Sequence, residues 1–549
     1  MKSLQPVRDY LRWWRDPRAT LLGGVLAGAE ENSRKREQAA LHFIDEAKSL
    51  PISPEPAQNW AVLQLMLGAA PDVVMREFTL GTGKLPAMLL FTDNMAKRTE
   101  VTAMLDSMMV RLRDEQFPTG AEPLEQYLKE RSITGADVTP VKNLSDVTTK
   151  LLTGDVVLMA KGLQVAFRMP ATGFEHRTPE EPAAEPVVRG PKEGFVETGA
   201  VNIALVRRRL HDPRLRVESF TIGKRSNTPV TMVYLAGVAW PEMVDEVRRR
   251  LKRINIDGVI ESGYIEELIE DAPGSPFPLV KSTERPDVVA GELLEGRVAI
   301  ITDGTPHALV VPTTFTSGMQ ASEDYYQKWP MASFTRMLRY LFLVVALLGP
   351  ASFIAVTTYH QEMLPTQLLL SIMSAREGVP FPAMVEALMM EIAFEALREA
   401  GVRLPKPVGQ AVSIVGALVI GEAAVQAGLV SPILVIVVAV TGIASFVIPM
   451  FPLALALRLL RFPMIILAGS FGFYGITLGL IAISIHLASL RSFGVPYMAP
   501  TMPATPTDFK DLFIRVPWWA LVNRPKFMPV MNRKRQEPER NKPAPPDEQ

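Results

Sequence analysis

The sequence predicts a multidomain α/β and α-helical membrane protein, with duplicated cytoplasmic α/β subdomains followed by a bundle of about four transmembrane helices. Three observations lead to this prediction. The chain has 549 residues, too many for a single hydrophobic core. One residue pattern recurs at a constant spacing in the first part of the chain. Long uncharged apolar runs follow Trp329.

The composition excludes several classes of function. Lys plus Arg and Asp plus Glu both number 58, so no overall charge indicates a nucleic-acid partner. The chain has 0 Cys, which excludes disulfides and Cys-ligated zinc, and its 6 His have no metal-ligand spacing. We expect no cofactor, no metal and no enzymatic activity. The N-terminal stretch MKSLQPVRDYLRWWRDPR lacks the apolar core of a signal peptide, so we expect the first domain to remain cytoplasmic.

Two pairs of similar stretches indicate an internal duplication. FTLG at 78–81 corresponds to FTIG at 220–223, and 220 − 78 = 142. LLTGDV at 151–156 corresponds to LLEGRV at 293–298, and 293 − 151 is again 142. Two separate matches at one offset predict two α/β subdomains with the same arrangement. A Pro-rich spacer, TPEEPAAEPVVRGPKEG, separates them.

The resulting domain boundaries follow changes in composition along the chain. We expect an N-terminal helical segment, two α/β subdomains, a transmembrane domain and a basic, Pro-rich, disordered cytoplasmic tail, at 1–60, 61–190, 195–325, 331–495 and 496–549. Short glycine-rich stretches inside the subdomains do not indicate catalysis. GTGK at 81–84 lacks the other residues of a phosphate-binding loop and is interpreted as a hairpin turn.

Four apolar runs are long enough to cross a membrane: 340–358, 410–430, 431–451 and 462–488. Arg336 and Arg339 before the first run favour a cytoplasmic start. Four crossings return the tail to the cytoplasm. They also place Arg458 and Arg461 on the outer side, against the positive-inside rule.

An acidic segment, PFPAMVEALMMEIAFEALREAG, separates the first two runs. Glu391, Glu395 and Glu399 recur every four residues and form one stripe of a helix, while Glu386 lies off it. Two interpretations remain open. The segment is either an amphipathic helix on the membrane surface with a solvated acidic face, or an acidic vestibule that concentrates cations at a pore mouth.

The second run, GQAVSIVGALVIGEAAVQAG at 409–428, combines small residues with an ionisable side chain, Glu422. A carboxylate in a membrane span faces a bundle interior or water. Either Glu422 is paired near the end of a packed helix, or the helix lines an aqueous path built by several chains. The glycines of GSFGFYGITLG in the last run indicate close packing of helices.

Several long stretches together carry a resemblance to a known family. They are DYY before the first span, EPVVRGPKEGFVE, DGVIESGYIEELIEDAPGSPFPLVKSTERPDVVAGELLEGRVAIITDG and TTYHQEMLPTQLLLSIMSAREGVPFPAMVEALMMEIAFEALREAGVRLPKPVGQAVSIVGALVIGEAAVQAGLVSP. They resemble the A subunit of the GerA-type spore germinant receptors of endospore-forming bacteria, over roughly residues 70 to 500.

The resemblance implies a nutrient-sensing protein of the spore inner membrane that helps to trigger germination. It implies a homo-oligomeric ring in contact with membrane lipid, working with a transporter-like B subunit and a lipoprotein C subunit and conducting monovalent cations. By position, the candidate pore and gate residues are Gln410, Val412, Ser413, Ile414, Val415, Gly416, Ala417, Ile420 and Glu422. An apolar constriction among them, built from residues such as Val412, Ile414, Val415 or Ile420, would gate by dewetting.

Other functions remain open at this point. The resemblance also covers paralogues that amplify the response or accompany dipicolinate release. A non-conducting scaffold that assembles other receptor subunits fits the same sequence. A secondary transporter is disfavoured, because the repetition lies in the soluble half and none is found in the membrane half.

Overall fold

The computed structural model describes most of the chain. The described residues are 50–68, 70–114, 125, 138–171, 173, 181–182, 185–403, 416, 419–537 and 541–543. Most of the predicted N-terminal segment, 1–60, lies outside them.

The first α/β subdomain is built on an antiparallel five-stranded sheet with the order β1-β2-β4-β5-β3. Its strands are β1 (Val73–Leu80), β2 (Leu85–Thr92), β3 (Thr139–Val141), β4 (Val156–Ala160) and β5 (Ala166–Met169). Its helices are α1 (Pro56–Leu67), α2 (Arg98–Arg111) and α3 (Leu144–Leu152). The GTGK stretch is the turn between β1 and β2, where Gly81 has φ 67° and Lys84 N–H donates to its carbonyl.

The second subdomain repeats this arrangement, with the order β6-β7-β9-β10-β8. Its strands are β6 (Leu215–Ile222), β7 (Thr228–Leu235), β8 (Lys281–Thr283), β9 (Val298–Thr302) and β10 (Ala308–Val311). Its helices are α4 (Gly199–Arg207), α5 (Pro241–Arg253), α6 (Ser262–Ile269) and α7 (Pro286–Leu294). The starts of β1 and β6 differ by 215 − 73 = 142, and those of β4 and β9 by 298 − 156 = 142.

Each sheet has an apolar core on both faces. In β4 every residue is buried, and alternate residues enter different clusters. Leu158 packs with Met108 of α2, whereas Val157 packs with Leu63 of α1. The strand is continuously apolar because helices cover both sides of the sheet.

The two subdomains are joined by arginines of the second. Arg207, which is fully buried at the end of α4, forms an ion pair with Asp72 just before β1. Arg216 of β6 donates from Nη1 to the carbonyl of Met66 at 2.9 Å. Charged contacts therefore hold the repeats together.

A short helix, α8 (Phe315–Met319), leads into the helical domain, residues 329–489. Its helices are α9 (Trp329–Thr358), α10 (Thr366–Arg376), α11 (Ala383–Arg403), α12 (Pro432–Phe446) and α13 (Phe451–Ser489). Among the described residues, α9 and α13 are long and apolar enough to cross a membrane, and α12 is a shorter apolar helix.

Helix α13 reverses direction at Gly472, whose φ of 59° and ψ of −141° are not helical. A Cβ on Gly479 would lie 2.4 Å from Met464 Sδ, so the second arm returns along the first. The start of α13 lies against Gly318, and His486 near its end hydrogen-bonds Ser275, so both ends meet the second subdomain. The segment 462–488 is therefore not a single straight span as the sequence predicts. The apolar pattern could not reveal this, because both arms are equally apolar and only one glycine separates them.

This reversal also changes the placement of Arg458 and Arg461. The first arm starts beside the second subdomain, so both arginines lie in the half of the helical domain nearest to it. The sequence-based topology placed them on the opposite side.

Residues 496–537 do not form the disordered tail that the sequence predicts. They pack on the second subdomain, where Met531 N–H donates to the carbonyl of Val238 at 3.1 Å. Phe527, Met528 and Val530 form an apolar cluster with Val495 and Ala499. These apolar residues are dispersed among prolines and charges, so no periodic pattern marks them.

Candidate functional site

Most of the candidate pore residues lie outside the described part of the chain. These are Gln410, Val412, Ser413, Ile414, Val415 and Ala417, together with the side chain of Ile420. Gly416 is buried, and a Cβ there would meet Leu397 Cδ2 at 2.4 Å, so this position lies against α11.

Glu422 lies in a single π-helical turn, Val419–Ala423. Its side chain is exposed and accepts a hydrogen bond from Gln426 Nε2 at 3.2 Å. Such turns occur often at functional sites, because they rotate side chains out of the regular helical register. The structure thus places a carboxylate and an amide together on the outer surface of the described helical domain.

The acidic helix α11 does not lie across the surface of the helical domain. Its Met384 contacts Gly469 of α13, and its Phe394 contacts Gly442 of α12. Contacts along its length with two apolar helices make α11 part of the bundle, with one face exposed at Ile392. The membrane-surface interpretation fails because two acidic residues of α11, Glu391 and Glu395, have basic partners on α13.

Glu391 forms a buried ion pair with Arg461 of α13. The distance from Glu391 Oε2 to Arg461 Nη1 is 2.7 Å, and the two side chains are only 4% and 2% exposed. Arg461 Nε also donates to the carbonyl of Ala346 in α9 at 2.8 Å. One arginine therefore ties together three helices of the domain.

A second acidic residue continues this cluster. Glu395 accepts from Arg458 Nη1 at 2.8 Å, and Arg398 lies 3.5 Å from the same carboxylate. Arg398 also donates to Ser445 Oγ at 3.1 Å. Of the three glutamates of the predicted stripe, only Glu399 is exposed. We call Glu391, Glu395, Arg398, Arg458 and Arg461 the charged cluster; in it three cations meet two carboxylates.

Glu386 is a buried residue that sequence reasoning did not assign a role. It accepts a hydrogen bond from the backbone N–H of Ser431, at the start of α12, and lies 3.6 Å from Arg376. A carboxylate at a helix N-terminus is stabilised by the helix dipole. In the sequence, the position of Glu386 off the acidic stripe was the available signal that its surroundings differ from those of Glu391, Glu395 and Glu399.

The junction between the α/β subdomains and the helical domain contains a further cluster. Asp324, which is buried, accepts from Arg339 Nη1 at 2.7 Å and from Arg336 Nε at 3.1 Å. Arg336 Nη1 also lies 2.7 Å from Asp511 Oδ1 in the C-terminal segment. The arginines that the sequence interpretation used for topology are thus buried structural residues that join three parts of the chain.

No group of three or more His, Asp or Glu side chains able to hold a metal ion occurs in the part of the chain that the structure describes. The fold and these clusters define a class of protein in which two tandem α/β subdomains are linked by buried charges to an apolar helical domain.

Comparison with known proteins identifies the family. The profile of the Bacillus/Clostridium GerA spore germination protein matches residues 61–527. The chain belongs to this family. The membrane protein YfkQ of Bacillus subtilis, which is described as uncharacterized, is 46% identical over 90% of this chain and 95% of its own length. Spore germination protein KA of Bacillus subtilis is 45% identical over 88% of this chain and 89% of its own length.

Two further proteins are similar to this chain. Spore germination protein GerLA of Bacillus cereus is 41% identical over 84% of this chain and 93% of its own length. The crystal structure of the N-terminal domain of the A subunit of the Bacillus megaterium spore germinant receptor GerK3 is 32% identical. It covers 48% of this chain and 98% of its own, with a TM-score of 0.38.

Proposed function

We propose that the chain is the A subunit of a nutrient-sensing receptor in the spore inner membrane, and that several copies form a ligand-gated path for monovalent cations. The germination role follows from the family and from relatives named as spore germination proteins. The conducting role is an inference from the helical domain.

The observation that carries the conducting role is the exposed polar pair of Glu422 and Gln426. The outer faces of α12 and α13 are strongly apolar; their exposed apolar residues include Ile436, Val440 and Ile443 on α12, and Tyr474, Leu478, Ile481 and Ile485 on α13. A carboxylate on such a surface is costly in lipid unless it faces water or another chain. Assembly of several copies around this surface provides both.

The proposed arrangement places the two α/β subdomains in the cytoplasm. Both ends of α13 and the start of α9 lie next to the second subdomain, so α13 starts and ends on the side of the bundle where α9 starts. The count of about four crossings remains a prediction. The exposed apolar faces of α12 and α13 supply area for lipid, for further copies and for the proposed B and C subunits.

In the proposed mechanism, nutrient binding on a partner subunit shifts the equilibrium between a closed and an open ring. A ligand shifts such an equilibrium only by its differential affinity for the two states. The predicted apolar constriction around Val412, Ile414, Val415 and Ile420 closes the path in dormant spores. The charged cluster keeps α11 in register with α13 on the side of the α/β subdomains, which gives a rigid support for the neighbouring pore helix.

The test is a scan of small substitutions from Gln410 to Glu422 that measures potassium leak from dormant spores without nutrient. Leak that rises with a three-to-four-residue period supports a gate lined by this helix. A matched control is Glu362→Gln, since Glu362 is an exposed carboxylate at the end of α9 remote from the subdomains. If no position leaks and the amount of receptor falls instead, the conducting role is refuted and the scaffold is the better proposal.

A deletion strain separates the accessory paralogue from a nutrient receptor. Spores of a strain that lacks the chain should fail to respond to a particular nutrient if the chain is a receptor subunit. If all nutrient responses persist and only dipicolinate release slows, the chain acts as an accessory channel.

A further inference from the structure

A cavity of about 740 Å³ lies where the second α/β subdomain, the helical domain and the C-terminal segment meet. This volume is in the range of small-molecule binding sites. Helix α7 and strand β8 form one wall, and the turn between α12 and α13 forms another. Residues of the C-terminal segment, such as Trp518 and Phe527, complete it.

Part of the wall from the helical domain is apolar. It comprises the turn 446–451, with Phe446, Ile448, Met450 and Phe451, together with Ala454 of α13. This wall favours an apolar group of an occupant, because burial of apolar surface stabilises by about 25 cal/mol per Å².

The remaining lining contains buried arginines whose hydrogen-bonding capacity is only partly used. Arg285, Arg297 and Arg458 are all less than a tenth exposed. Within the described part of the chain, Arg285 Nε, Arg297 Nη1 and Arg458 Nε have no hydrogen-bond acceptor. A buried donor without a partner costs about 1–3 kcal/mol, and arginine is well suited to bind carboxylate and phosphate groups.

Two carboxyl oxygens in the lining also lack a donor among the described residues, Asp287 Oδ1 and Glu295 Oε2. Burial raises the pKa of Glu295, and it also raises the pKa of Glu185 on the rim of the cavity. Both groups therefore hold a proton more readily than usual, which reduces the negative charge at these two positions of the lining. Its 7 Lys and Arg side chains otherwise equal its 7 Asp and Glu side chains.

The first subdomain serves as an internal comparison, because it has the same fold. At the offset of 142 residues, Arg285 corresponds to Asn143 and Arg297 to Asp155. The α/β fold itself therefore does not require arginine at either position. These charges are specific to the repeat that carries the cavity.

Gly291 is an independent indication that this repeat accommodates an occupant in the cavity. It lies inside α7, where glycine costs about 1 kcal/mol relative to alanine. A Cβ at this position would meet no atom within 4 Å, and the residue lines the cavity. The equivalent residue of α3 is Thr149. No contact within the chain requires a glycine here, and the absence of a large side chain at this position leaves the cavity open to an occupant.

We propose that this cavity binds an anion, a carboxylate or a phosphate, that carries an apolar group. The anionic group contacts Arg285, Arg297 and Arg458, and the apolar group lies against the turn 446–451. Two sources supply this chemistry: the headgroup of an anionic membrane lipid and a soluble amphiphilic anion. The proposal concerns the cavity alone and does not depend on ion conduction.

The experiment uses the full-length chain in phosphatidylcholine nanodiscs, with octyl phosphate as the probe and inorganic phosphate and octyl glucoside as comparisons. Octyl phosphate is expected to bind and to raise the Tm. Arg297→Gln and Gly291→Phe are each expected to weaken its Kd by about tenfold or more. The first variant removes a donor, and the second fills the cavity and keeps every charge.

The matched controls are Gly291→Ala, which adds only a methyl group, and Arg225→Gln, which removes an arginine that is 85% exposed in the same subdomain. Both should bind like the unchanged chain. Equal binding of inorganic phosphate and octyl phosphate would refute the apolar half of the proposal. Variants that bind octyl phosphate as well as their controls would overturn the site altogether.

Nanodiscs that contain phosphatidylglycerol distinguish the two sources. If phosphatidylglycerol raises the Tm in a Gly291-dependent way and octyl phosphate then adds nothing, the occupant is a lipid headgroup. If the two nanodisc compositions give the same Tm and octyl phosphate binds equally in both, the occupant is a soluble amphiphile.

Discussion

Replacing Glu391 by leucine should strongly destabilise the helical domain. The substitution leaves Arg461 buried at 2% side-chain exposure, with the carbonyl of Ala346 as its remaining acceptor among the described residues. The cationic guanidinium would then lie between α9 and α13 without its carboxylate partner.

Glu391→Leu should lower the free energy of unfolding by about 3–5 kcal/mol, because breaking a buried ion pair leaves an uncompensated charge. An exposed pair gives the scale for comparison. Arg225 and Asp257 lie 3.9 Å apart at 85% and 78% exposure, and removing such a pair costs about 0–1 kcal/mol. The additional replacement Arg461→Met removes the uncompensated charge, so the double variant should be more stable than Glu391→Leu alone.

The assay is denaturant unfolding of the full chain in detergent, followed by far-ultraviolet circular dichroism, for the two single variants, the double variant and Arg225→Gln. A coupling free energy of about 2 kcal/mol or more between the two sites is expected. Two results would show that the ion pair does not hold α11 to α13. One is that Glu391→Leu lowers the free energy of unfolding no more than Arg225→Gln does. The other is that the effects of Glu391→Leu and Arg461→Met add up to the effect of the double variant.

Asp72→Asn should weaken the contact between the α/β subdomains, because it leaves Arg207 buried without a carboxylate partner. Faster proteolysis of the spacer at 178–194 would detect this change, and unchanged proteolysis would contradict the role of the pair. Burial raises the pKa of Glu266 to about 7 from 4.5, so the native state retains the proton and stability falls as pH rises between these values. Glu266→Gln should therefore raise the Tm at pH 8, with a gain of at most about 3 kcal/mol in the free energy of unfolding. At pH 4 the Tm should be unchanged. An equal gain at the two pH values would refute the raised pKa of Glu266. Gly472→Ala should reduce receptor assembly, because φ of 59° and ψ of −141° disfavour a side chain and a Cβ would lie 3.0 Å from Tyr359 Cβ. The control is Gly378→Ala, where a Cβ would meet no atom within 4 Å. Equal losses of assembly in the two variants would contradict this reason.

Several elements could be predicted from local patterns. The strands β1 and β6, the apolar helices and the spacing of 142 residues all depend on short-range composition and periodicity. The turn at GTGK could be identified because glycine tolerates the positive φ that a tight hairpin requires.

The candidate site was predicted less well. Glu391, Glu395 and Glu399 form one stripe in the sequence, and helical geometry was sufficient to find it. The stripe does not reveal that Arg461 and Arg458, more than sixty residues further along, neutralise two of its members, since 458 − 395 = 63. A pattern on one helix carries no information about the partner that packs against it.

The sequence alone determined the class of this protein: two α/β repeats, apolar helices and membership of the GerA family, each encoded in local composition or in long stretches of similarity. Only the tertiary structure decided which charges meet, that α13 reverses at Gly472, and that the C-terminal segment closes a cavity against α7. The physical reason is that secondary structure depends on neighbours in sequence. Buried ion pairs and cavities depend on residues that folding brings together from distant parts of the chain.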